Sequence, residues 1–119
     1  MSVPWQRVLG GLSGAFAVGA SAYGSHGLHS STESYQKTFD TAARMQLIHS
    51  GVLAAVPSIC GPSTRAAQVS GGLFAVGTLL FSGSCYLVAL RENRNLGKAA
   101  PVGGLALMAG WISFAILKR

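Results

Sequence analysis

Four long apolar stretches alternate with short polar ones along this chain. They run over about 8–25, 39–60, 66–90 and 101–117. A helix that crosses a bilayer needs about 20 mostly apolar residues. The pattern therefore predicts an all-α fold, an antiparallel four-helix transmembrane bundle, as one domain over residues 1–119. Polar segments 25–37 (SHGLHSSTESYQK) and 91–98 (RENRNLGK) separate the first pair of spans and the last pair. The second span carries Asp40, Arg44, Gln46 and His49 among apolar neighbours. Ionisable groups at membrane depth are costly and turn toward protein. This span is thus expected to be the one the others surround.

The small residues have a period of their own. In the first span Gly10, Gly14, Ala17, Ser21 and Gly24 share one helical face, while Val8, Leu12, Phe16 and Tyr23 lie opposite. In the third, Gly71, Ala75, Thr78, Ser82, Cys85 and Ala89 repeat near 3.5 residues, which predicts one narrow packing seam. In the fourth, Gly103, Ala106, Gly110 and Ser113 oppose Leu105, Met108, Ile112 and Ile116, and Pro101 opens the helix. Such stripes let backbones approach where no hydrophobic drive exists between helices. Pro57 is expected to kink or end the second helix, and Gly61-Pro62 to close it. The short turn that follows makes spans two and three antiparallel neighbours.

Candidate chemistry is sparse. Asp40 and Arg44 have the i, i+4 spacing of an interfacial ion pair. Gln46, His49 and Ser50 are expected on one face. There His49 is either a neutral ring hydrogen-bonded to a facing helix or part of a proton relay. With no second deep acid or base, the residues favour the first reading. His26 and His29 have a two-ligand spacing, but Gly27 and the Ser/Thr cluster suggest a loop and nothing completes a metal site. Ser30, Ser31 or Thr32 could cap a short interfacial helix with Glu33 in its first turn. Cys60 and Cys85 have no metal spacing and could bridge only at equal depth. No metal, cofactor or catalytic group is expected.

Composition narrows the class. Half the residues are hydrophobic and 10% are charged, against about 25% charged in soluble domains. The net charge of +6 is scattered between the apolar runs. That suits anionic lipid headgroups at helix ends and not nucleic acid. The first apolar run lacks a cleavage context and reads as an uncleaved helix, with Trp5 and Arg7 as interfacial anchors. Lys and Arg are nearly balanced between the two expected sides, so orientation stays open.

The chain resembles one family over nearly its whole length. The residues are Tyr23-Gly24-Ser25-His26-Gly27, Phe39-Asp40-Thr41-Ala42-Ala43 with Gln46 and His49-Ser50, Leu80-Phe81-Ser82-Gly83-Ser84-Cys85-Tyr86, and Pro101-Val102-Gly103-Gly104 with Gly110-Trp111. They are similar to the signatures of the transmembrane protein 256 family, with Ser25 where Ala is usual. The resemblance implies a four-span protein of bacterial inner membranes and mitochondria, with no reaction and no catalytic residues to carry over. Two functions then compete. One is a structural or accessory subunit of a larger membrane assembly, in a eukaryote beside a respiratory complex of the mitochondrial inner membrane. The other is a small transporter, channel or proton conductor using the His49/Gln46 seam. An enzyme is not expected.

Overall fold

A computed structural model describes residues 3–27 and 32–117. It has four α-helices and one 3-10 turn: α1 (Trp5–His26), α2 (Glu33–Cys60), α3 (Arg65–Arg91), the turn Arg94–Gly97, and α4 (Ala100–Ile116). The described residues include no strand.

Two boundaries differ from expectation. Residues 33–37, expected in the first connection with Glu33 opening a short capped helix, are the start of α2 itself, with Thr32 as its N-cap and Glu33 paired to Lys37 at 3.3 Å. His29, Ser30 and Ser31 lie outside the described residues. Secondly, α1 starts earlier than expected, at Trp5, with Pro4 as its N-cap. Pro57, expected to kink or end α2, does not end it; the helix runs on to Cys60, where the expected span also stops. A proline this close to the C-terminus deletes one hydrogen bond and leaves little helix to redirect. The stop is Gly61, whose φ of 91° a residue with a Cβ would rarely adopt. Thr64 then joins α2 to α3: its hydroxyl donates to the Cys60 and Gly61 carbonyls and accepts from the Ala67 N–H.

Each helix packs on the next, α1 on α2, α2 on α3 and α3 on α4, with no comparable contact between α1 and α4. The envelope of 47 × 27 × 17 Å is flattened. This corrects the expectation that the others surround the second span. Helices α2 and α3 share the centre, and α1 and α4 form the edges. Helix α2 thus keeps an uncovered face, which carries the exposed Leu47, Ile48 and Ile59.

Glycines set the separations. A Cβ on Gly10 would lie 2.6 Å from the Ala54 nitrogen and 2.7 Å from the Ser50 oxygen, so the α1 and α2 backbones touch. One on Gly103 would lie 2.4 Å from the Phe81 nitrogen of α3. Gly14 and the fully buried Ala17 continue the α1 contact, while Ser21 is half-buried. On α4, Gly103, Gly110 and Ser113 are buried and Ala106 is half-buried. Helix α3 has two packing faces where one seam was expected. Gly71 meets Gln6 of α1, Ser82 meets α2, and Ala75 and Thr78 are half-buried between them. Ser70, Phe74 and Gly77 meet α4 on the other face. The 3.5-residue period detected only the first.

Two segments are long and apolar enough by themselves to cross a membrane, Arg65–Arg91 and Arg94–Ile116. Glycine and serine dilute the apolarity of α1, and Asp40, Arg44, Gln46 and His49 dilute that of α2.

Thermal unfolding in detergent tests the glycine contacts. Gly103→Ala is expected to cost about 1–3 kcal/mol, since the Phe81 backbone must shift. Gly11→Ala, where a Cβ meets nothing within 4 Å, is expected to stay within about 0.5 kcal/mol of wild type.

Candidate functional site

The buried polar residues of α2, Gln46, His49 and Ser50, each meet a neighbouring helix. The Gln46 amide donates to the Ser13 carbonyl (3.1 Å) and hydroxyl (3.0 Å) on α1. Its oxygen accepts from the Tyr86 hydroxyl of α3 at 2.6 Å. Ser50 donates to the same Ser13 hydroxyl at 2.6 Å. One side chain thus ties three helices together, and both amide protons are used. Next to it Ser82 of α3 donates to the Ala42 carbonyl at 2.9 Å. Buried polar groups without partners would be costly in an apolar surrounding, and none is found among the described side chains.

His49 belongs to a different cluster. It was expected to share a face with Gln46 and Ser50, but those two turn to α1 and His49 turns to α4. Residue 49 lies about 60° around the helix from residue 46, on the side away from residue 50, and this parts them. Trp111 Nε1 lies 3.2 Å from His49 Nε2, and His49 Nδ1 lies 2.7 Å from the Met45 carbonyl. An indole N–H can only donate and a carbonyl can only accept. Nε2 must therefore carry the lone pair and Nδ1 the proton. This is the neutral ring with one fixed tautomer. Trp111 meets the imidazole edge-on and Phe74 lies tilted against it, with ring centroids 5.9 and 6.1 Å away.

The remaining candidates are peripheral. Asp40 and Arg44 pair at 2.8 Å with side chains 61% and 72% exposed, and such an i, i+4 pair contributes at most about 0.5 kcal/mol. Cys60 and Cys85 are both free. Residue 85 lies twenty residues into α3, about 30 Å from the turn beside Cys60. No group of three possible metal ligands occurs among the described residues. Of the two histidines in the first connection, His29 lies outside them, as does the side chain of His26.

A cavity of about 390 Å³ opens between α1 and α3. Ser13, Gln46, Ser50 and Thr78 give it polar groups, and its apolar walls include Phe16 and Leu79, which are strongly exposed. Sequence reasoning missed Ser13, Gln6 and Tyr86 as structural partners and gave Trp111 no role. Gln6 is almost fully buried and donates to the Ala67 carbonyl at 3.2 Å. A signal existed for Tyr86 and Trp111. Each sits inside an apolar run, away from the ends where such rings usually collect, and a Tyr O–H or Trp N–H in an apolar surrounding needs a hydrogen-bond partner.

Comparison with known proteins places this architecture. A family model described as "protein of unknown function (DUF423)" matches residues 20–104. This chain belongs to the DUF423 family. A UPF0382 membrane protein of Staphylococcus haemolyticus is 34% identical over 110 residues, covering 92% of this chain and 90% of that one. One from Haemophilus influenzae is 33% identical over 105 residues, covering 87% and 85%. YwdK of Bacillus subtilis, also a UPF0382 membrane protein, is 30% identical over 112 residues, covering 92% and 91%. No solved structure matches. These DUF423 relatives are bacterial membrane proteins without an assigned activity, and the chain shares their class.

The His49–Trp111 contact can be checked directly. In Trp111→Phe the Nε2 lone pair stays buried without a donor, with an expected loss of about 1–3 kcal/mol in thermal unfolding. Nitrogen-15 NMR of the wild-type imidazole is expected to show the proton on Nδ1. A proton on Nε2 would contradict the assignment.

Proposed function

We propose that this DUF423 protein crosses the bilayer four times and is an accessory subunit of a larger membrane assembly. One observation carries the reading. Helix α1 has a second small-residue stripe, Gly11, Ala15 and Gly19, and it is exposed. A Cβ added at Gly11 or Gly19 meets nothing within 4 Å. The first stripe, at Gly10 and Ala17, is filled by α2. The second has the small-xxx-small spacing that lets a further helix approach. It lies on an edge helix with room for a neighbour.

Lengths support four crossings. At 1.5 Å per residue α1, α2 and α3 reach about 33, 42 and 40 Å, against a hydrocarbon core of about 30 Å. Helix α4 is shorter, about 25 Å, and fits with slight thinning or with the help of Arg94–Gly97 before it. The excess length of α2 is about 6 Å at each end, so Asp40 lies about 5 Å inside the core boundary, where Arg44 pairs with it and both side chains can extend toward the headgroups. Lys and Arg at the helix ends would meet anionic lipid. The resemblance to transmembrane protein 256 points to the mitochondrial inner membrane in a eukaryote, beside a respiratory complex, and to the inner membrane in a bacterium. Transport along the His49/Gln46 seam has less behind it. Those side chains face opposite helices, and their hydrogen bonds end on partners without forming a line.

Blue-native electrophoresis after mild detergent extraction tests the reading. Wild type should migrate within a larger complex. Gly11→Leu with Gly19→Leu should release it while leaving its own unfolding temperature nearly unchanged. Wild type running alone at monomer mass would contradict the proposal.

A further inference from the structure

The cavity between α1 and α3 holds hydroxyl groups that the protein leaves incompletely used. The Ser13 hydroxyl accepts from both Gln46 and Ser50. Its own proton finds no acceptor among the described residues. Thr78, opposite on α3, lines the same space, and no hydrogen bond among the described residues engages its hydroxyl. Threonine in a helix usually satisfies that group on the carbonyl one turn back. Both are therefore free to donate toward whatever fills the cavity.

Their depth limits the source of an acceptor. Ser13, Gln46 and Thr78 each lie within about 4 Å of the midpoint of their helix, at 1.5 Å per residue. On the membrane-spanning reading, that is the middle of the hydrocarbon core. Phospholipid ester groups lie about 15 Å away, at the core boundary. Water is scarce there, and an unanswered hydroxyl is costly. No charged side chain lines the cavity, so neither an anion nor a cation would find a counter-charge. Its size, about 390 Å³, is within the range of small-molecule sites. Its flanks, Phe16 and Leu79, are exposed where lipid would lie, so entry would be sideways from the bilayer.

We propose that this cavity binds a neutral, lipid-soluble molecule whose hydrocarbon skeleton carries a carbonyl or hydroxyl oxygen, accepting from Ser13 and Thr78 at mid-bilayer depth. The site rests on the four-span reading and not on the presence of a partner subunit.

The test uses the purified full-length chain in phosphatidylcholine nanodiscs. The probe is a long-chain alkyl ketone bearing a diazirine and an alkyne, and the control is its hydrocarbon twin without the carbonyl. The ketone should label peptides covering residues 9–16 and 75–86, and excess unlabelled ketone should compete. Thr78→Val keeps the shape and removes the hydroxyl. It should weaken that competition about fivefold, the effect of one hydrogen bond, and leave labelling by the hydrocarbon twin unchanged. Gly83→Leu should abolish ketone labelling, because it places a side chain in the cavity where a Cβ meets nothing within 4 Å. Circular dichroism and nanodisc incorporation, read separately, report on folding and insertion. Equal labelling by ketone and twin, or unchanged competition in Thr78→Val, would overturn the proposal and leave the cavity to ordinary acyl chains. Neither result depends on whether the protein enters a larger complex.

Discussion

The structure depends on how closely its backbones approach. In an apolar surrounding a polar side chain must find its partner on a neighbouring helix, and a hydrogen bond reaches only about 3 Å. Glycine supplies the approach, and the polar residue follows within a turn. Gly10 seats α1 on α2, and three residues on Ser13 meets Gln46 and Ser50. Gly110 seats α4 on Phe74, and beside it Trp111 meets His49 while Ser113 meets Ser70. Widening either contact by the thickness of one methyl group would strand these donors and acceptors.

Much of the fold could be read in the residues. Apolar length located four helices, and the spacing of Gly10, Gly14 and Ala17, and of Gly103, Gly110 and Ser113, marked the faces that pack. Spatial order was not legible, because a stripe of small residues says that something packs there and not which helix. On α3 the regular stripe of Gly71 and Ser82 hid a second face, where Phe74 interrupts the small residues Ser70 and Gly77. Polar partners were the hardest to foresee. Gln46 and Ser13 are 33 residues apart, and His49 and Trp111 are 62. No local spacing encodes such pairs. His49 and Gln46 are only three residues apart, yet the angle of about 60° between them on α2 sends them to different neighbours.

The buried polar groups explain cohesion more than chemistry. Gln46 uses both amide protons and its oxygen on protein, and His49 uses both ring nitrogens. What the fold leaves unanswered is concentrated on and beside α1: the bare stripe of Gly11, Ala15 and Gly19, and the cavity under Ser13.

The central claim is that all four helices cross the bilayer, including α1 and α2, whose composition alone would not require it. Single cysteines placed at Thr32, Ser63 and Asn95, in a chain carrying Cys60→Ala and Cys85→Ala, would be challenged with a membrane-impermeant maleimide in sealed, oriented vesicles. The account predicts Ser63 on one side and both Thr32 and Asn95 on the other. If Thr32 and Ser63 react from the same side, α2 does not cross, and the four-span account fails.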